Sequence, residues 1–165
     1  MLDRKEAKRA LDNFGRDVKF GSRTNLIGRN VSRRLANSIE FETDVFQNSF
    51  SFSFFMEDYG EYLDKGVSGT ERRYNTPFVY TNKMPPTSAF DRWTVVRGLA
   101  KRDEKGKFIS RESLKFALAL SKYRKGQKPT LFFTRAFERE FRKLPNELIE
   151  AYGLDVENLM EFTSK

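Results

Sequence analysis

Between residues 39 and 55 apolar and polar side chains alternate with period two. Ile39, Phe41, Thr43 and Val45 point one way, and after Gln47-Asn48-Ser49 the residues Phe50, Phe52 and Phe54 alternate with Ser51 and Ser53. The pattern predicts a β-hairpin with one apolar face. Its serine face is small and flat, so it must be covered or must pair onward into a larger sheet. Upstream the period is helical: Leu2, Ala7, Leu11, Phe14 and Val18 recur every three or four residues among charges. Gly15 and Gly21 weaken that helix and suggest a break near 20–24. A second helical stretch follows, with Leu26, Ile27, Val31 and Leu35 on one face and Arg29, Arg33 and Arg34 on the other.

Beyond the hairpin, residues 58–65 read as a helical turn. No regular period then appears until Met84-Pro85-Pro86. Structureless loops of this length in compact domains are functional or disordered. This one carries Arg72, Arg73, Tyr74, Phe78 and Tyr80, too aromatic for a solvated linker. It reads as an extended arm, 67–85, that orders against a partner. Next comes a helix with Phe90, Trp93, Val95, Val96 and Leu99 as its apolar stripe, and Ser88-x-x-Asp91 fits a capping box at its start. Residues 101–109 look like an exposed charged turn. Ser110 then caps a helix with Leu114, Ala117, Leu118 and Tyr123 inward, closed by Gly126. Leu131-Phe132-Phe133 form a short strand or the lip of a last helix, 134–152, interrupted at Pro145; a short helix near 155–162 follows. The Phe132, Phe133, Phe137, Phe141 run has core spacing, with subunit contact as the other use. The expected organisation is a single domain, 1–165. Its parts are a helical segment 1–37, a sheet-and-helix core 38–142 holding the arm, and a helical extension 143–165.

Composition narrows the chemistry. The 165 residues contain no Cys and no His, which closes thiolate and imidazole catalysis and most zinc, copper and iron sites. Phe occurs 17 times, enough for a core with a surplus for interfaces. No stretch approaches a membrane span, and Met1-Leu2-Asp3-Arg4-Lys5 lacks a signal-peptide apolar region. A soluble chain that stays where it is made is expected. The net charge of +8 is concentrated in residues 1–40 and 97–128, whereas 41–96 and 129–165 are slightly acidic. Acidic protein surface or nucleic acid is the matching partner.

Three clusters carry candidate chemistry. Glu57, Asp58, Glu61 and Asp64 bring carboxylates together; Asp58, Glu61 and Asp64 share a helical face, as a Mg²⁺-dependent nuclease would need, or are simply solvated. Gly66-Val67-Ser68-Gly69-Thr70 lacks the Lys-Ser/Thr of a P-loop and reads as loop chemistry. The basic segment 97–128, with Lys105, Lys107, Lys122, Arg124, Lys125 and Lys128, has the make-up of a phosphate-backbone contact or of ordinary solvated helices.

The order of these motifs resembles the neck and tail-completion (head–tail connector) proteins of tailed bacteriophages. The resemblance rests on the basic first helix, the hairpin, Tyr59-x-x-Tyr62-x-Asp64-x-Gly66, Met84-Pro85-Pro86 with the Trp93 helix, and Tyr123-Arg124-Lys125-Gly126-x-Lys128-Pro129 before Phe132-Phe133. It covers most of residues 30–142; the extension 143–165 departs from it. It implies an α+β fold, a small antiparallel sheet with helices on one face, and a structural role with no reaction and no cofactor. It also implies a homo-oligomeric ring in the virion, made in the host cytoplasm, that joins the portal and capsid to the tail. Partners would be the chain itself, portal, adaptor or tail proteins, and DNA in the channel. Arg72, Arg73, Tyr74, Phe78 and Tyr80 would then lie between subunits. The alternative is a nucleic-acid-binding module that uses 97–128.

Overall fold

A computed structural model of the chain describes residues 4–28, 33–46, 50–99, 102–103 and 105–144, with Asn146 and Leu148. It is an α+β structure, and its sheet among the described residues is a two-stranded antiparallel hairpin. The chain divides into two units, residues 1–64 with 131–165 and residues 65–130.

The first unit begins with α1 (Arg4–Asn25) and α2 (Arg34–Ser38). The hairpin follows, β1 (Glu40–Val45) and β2 (Phe50–Phe55), then α3 (Tyr59–Lys65), and later α6 (Thr134–Phe141). The hairpin register pairs Phe41 with Phe54, Thr43 with Phe52 and Val45 with Phe50, so the period-two reading holds on both strands. Those six residues are half-buried, while Glu40, Glu42, Asp44, Ser51, Ser53 and Phe55 face outward. Against the inner face lie Ala7, Leu11, Phe14 and Val18 of α1, together with Phe132, Phe133, Phe137 and Phe141. Ring centroids stand 5.4 Å apart for Phe14 and Phe52, 5.3 Å for Phe14 and Phe137, and 5.0 Å for Phe54 and Phe133. Each fully buried Phe contributes about 1.5–3 kcal/mol, and a ring pair about 0.5–1.5 kcal/mol more.

The glycines of the first helix have a different role from the expected break. α1 runs unbroken through both. A Cβ on Gly15 would sit 2.4 Å from the Phe41 ring, and one on Gly21 would sit 3.2 Å from the Ala136 Cβ. They are there to let the sheet and α6 approach the helix. The second helical stretch is also shorter than expected: Leu26 is buried in the turn after α1, Ile27 is exposed, and α2 starts only at Arg34. Arg29 and Val31 lie outside the described residues. So does Pro145, and so do the end of the long final helix and the helix near 155–162. Within the described part, α6 stops at Phe141.

The second unit contains the 3₁₀ turn Thr87–Phe90, α4 (Asp91–Val96) and α5 (Arg111–Lys125). The capping box at Ser88 does not form; α4 grows out of the 3₁₀ turn, and its first turn has no side-chain cap. Ser110 does cap α5, its hydroxyl accepting from the Ser113 amide at 3.2 Å. Inward on α5 are Leu114, Lys115 and Ala119, with Leu118 and Tyr123 half-buried, whereas Ala117 is exposed. Lys115 is buried because Asp91, at 2.8 Å, and Glu112, at 2.7 Å, neutralise its ammonium. These contacts, led by the Asp91 hydrogen bond, raise the Lys115 pKa above the ordinary lysine value. Ser110→Ala is expected to cost about 1 kcal/mol and Ser88→Ala almost nothing. Urea denaturation of the two variants checks the contrast.

Candidate functional site

The arm has a fixed path in this structure, in contrast to a segment that takes its shape only on a partner. Its first residues cross the C-terminal end of α5. The Val67 amide donates to the Gln127 carbonyl at 2.9 Å and the Gln127 amide returns a bond to Val67 at 2.7 Å. The Thr70 amide donates to the Tyr123 carbonyl at 3.0 Å and the Glu71 amide to the Arg124 carbonyl at 2.9 Å. The last carbonyls of a helix have no partner within it, and here the arm supplies one. Buried Ser68 fixes the returning limb: its Oγ accepts from the Tyr74 amide at 3.0 Å, and its backbone pairs with Phe78 and Tyr80. Further along, the Tyr123 hydroxyl donates to the Thr81 carbonyl at 2.7 Å. The glycines and the carbonyl-rich helix end make this clasp. Neither is visible as a pair until the chain is folded.

Of the five arm residues, Arg72 and Arg73 are exposed, and Tyr74, Phe78 and Tyr80 are half-buried. The Arg72 guanidinium lies over the Tyr74 ring, 5.3 Å from its centroid. Tyr80 packs near Tyr123, with ring centroids 6.3 Å apart.

The basic residues do not form one patch. Lys105 and Lys107 belong to an exposed turn before α5, in which Asp103 accepts both their amides and Arg102 lies 4.0 Å from the Phe108 ring centroid. Lys122, Arg124, Lys125 and Lys128 are at the other end of α5, about 22 Å away along the helix. Lys122 is half-buried and donates to Gln127 Oε1, and that burial lowers its pKa. Arg124 pairs with Glu71 at 3.4 Å. Lys125 and Lys128 are exposed. Two exposed lysines at a helix end are a thin footing for a nucleic-acid groove.

The carboxylates do not converge either. Glu57 is paired with Arg34 at 2.9 Å. Asp64 is fully buried and accepts from the Phe133 amide at 2.8 Å and from the Thr134 amide and hydroxyl, which makes it a cap for α6. No group of three His, Cys, Asp or Glu among the described residues is placed to hold a metal ion. The aromatic run Phe132, Phe133, Phe137 and Phe141 is buried core. Among the described residues no helix is long and apolar enough to cross a membrane.

Two surfaces stand out in place of these sites. In residues 65–130 part of the expected inward stripe of α4 faces solvent: Val95 is 60% and Val96 59% exposed and Trp93 less so, while Phe90 and Leu99 are half-buried and Thr94 is buried. Phe108, Ile109 and Phe116 are exposed in the same unit. In the first unit, Lys5, Lys8, Arg9 and Arg16 line a shallow open depression of about 420 Å³ along α1, with Asp12 and Asn13. The three-to-four spacing of those cations was a readable signal; the partial reversal of the α4 stripe was not. No family model matches the sequence, and no curated protein or solved structure matches it either.

Proposed function

We propose that the chain is a structural protein of the neck of a tailed bacteriophage, acting in the virion as a homo-oligomeric ring that connects portal and capsid to tail. The order of sequence motifs suggests the family. The single observation that carries the assembly is the outward apolar stripe of α4 with Phe108, Ile109 and Phe116. Exposed large apolar side chains that lie together mark surface that another molecule covers, and Trp93, Val95 and Val96 lie together on one short helix. In this reading Arg72 and Arg73, exposed on the arm, contact the neighbouring subunit, and Tyr74, Phe78 and Tyr80 shape the arm that presents them. Portal, adaptor or tail proteins cover the remaining faces.

Deleting the arm would be a poor test, because its amides satisfy the end of α5 and the second unit would lose that support. Val95→Glu with Phe116→Glu is the cleaner variant. Light scattering of the wild type over a concentration series is expected to give a mass above that of the monomer. The double variant is expected to keep its circular dichroism and fall to monomer mass. A wild type that stays monomeric at every concentration and in the presence of portal and tail proteins would overturn the proposal.

A further inference from the structure

We infer that the basic outer face of α1 docks on the acidic outer face of the hairpin in a second copy of this chain, head to tail. The inference rests on the ring reading and names one of its contacts. Helix α1 buries Ala7, Leu11, Phe14 and Val18 on the inner face of the sheet. At 100° per residue, Lys5, Arg9 and Arg16 point about 150–170° away from that buried face and Lys8 about 90°, with Asp12 the one acid among them. On the other side of the same two-layer unit, Glu40, Glu42 and Asp44 point out of the hairpin beside Ser51 and Ser53. The helix layer therefore presents cations to one side and the sheet layer presents carboxylates to the other.

The charges are available. Lys5, Lys8, Arg9 and Arg16 make no ion pair with a described residue, and neither do Glu42 and Asp44; only Glu40 is engaged, by Lys19 and Arg23. The outward hairpin positions hold no cation. Glu42 and Asp44 stand ~7 Å apart along the strand. Cations one turn apart on α1 are separated by ~5–6 Å, a close match. Nucleic acid would also suit the α1 stripe, but it leaves the hairpin face unexplained. A second copy accounts for both. Since the two surfaces differ, the contact is heterologous, and repeating it produces a ring or an open filament. Ser51 and Ser53 keep one strand of the outer hairpin face low, with Phe55 at its end, so a helix can lie against the carboxylates of the other strand.

Charge reversal tests this on the full chain. Variant one carries Glu42→Lys and Asp44→Lys; variant two carries Lys8→Glu and Arg9→Glu. All four positions are exposed, and unchanged near-ultraviolet circular dichroism checks the fold. By sedimentation velocity, each variant alone is expected to lose the associated species, and wild-type association is expected to weaken with salt. An equimolar mixture of the two variants is expected to recover association, because each reversed face then meets its complement. A wild type that associates while both variants associate equally would overturn this contact and leave the ring reading standing. A wild type that never associates would overturn both. If variant two alone loses binding to duplex DNA and the mixture recovers no association, the α1 stripe serves nucleic acid and the inference fails.

Discussion

Asp64→Ala is expected to lower the unfolding free energy by about 3 kcal/mol. The carboxylate is fully buried and sits where α6 begins. It accepts from the Phe133 amide at 2.8 Å, from the Thr134 amide at 3.3 Å and from the Thr134 hydroxyl. Its own backbone carbonyl accepts from the Leu131 amide at 3.0 Å, on a residue held at φ 51°. Alanine removes the side-chain acceptors and leaves amides with no water to replace them. It also removes a negative charge from the positive end of a helix dipole. Asp64→Asn keeps one acceptor oxygen and is expected to lose about half as much. Asp58→Ala, at an exposed position, is expected to stay within about 0.5 kcal/mol of wild type. Urea denaturation gives all three values. An Asp64→Ala chain as stable as wild type would remove the capping role. Loss of a Mg²⁺-dependent cleavage without loss of stability would revive the nuclease reading.

The parts of this fold legible in the sequence are those set by local period. Alternation gave both strands and the face each side chain takes, and three-to-four spacing gave the buried face of α1. Ser110 and Gly126 marked the ends of α5, since capping is decided within a few residues. Asp64 resisted the same treatment. Its partners are 69 and 70 positions away, so the local pattern shows only one more acid in a cluster. Gly15 and Gly21 looked like helix breakers because propensity is local, whereas their reason is the Phe41 ring and α6 pressing on the helix. The α4 stripe misled for a related reason: an amphipathic pattern says that one face is apolar, not which molecule covers it. That gap is also why the outward face of α4 needed the structure. The arm shows no support in the sequence because its support is the carbonyl end of another element, which carries no side-chain signature.

Gly69→Ala should open the clasp between the arm and α5. A Cβ at Gly69 would lie 2.0 Å from the Arg124 oxygen, 2.5 Å from the Arg124 carbonyl carbon and 2.5 Å from the Gly126 nitrogen. All three are backbone atoms, so no rotamer change relieves the overlap; one strand of the crossing must move. Gly126→Ala is expected to act from the other side. That residue sits at φ 71° and ψ −169°, a region used almost only by glycine, and its Cβ would lie 2.2 Å from the Val67 oxygen. Moving either strand breaks the Val67–Gln127 pair and frees the Tyr123 and Arg124 carbonyls at the helix end. A local loss of about 3 kcal/mol follows for each variant, which accelerates amide exchange at Thr70, Glu71 and Gln127 by roughly 100-fold. Gly98 and Gly106 supply the control. Both have positive φ, yet a Cβ at either meets nothing within 4 Å. Alanine there is expected to cost about 1 kcal/mol from backbone strain alone, with the clasp amides unchanged. Hydrogen exchange separates crowding from strain in this series. Wild-type exchange in Gly69→Ala would mean that the arm is not held by the end of α5.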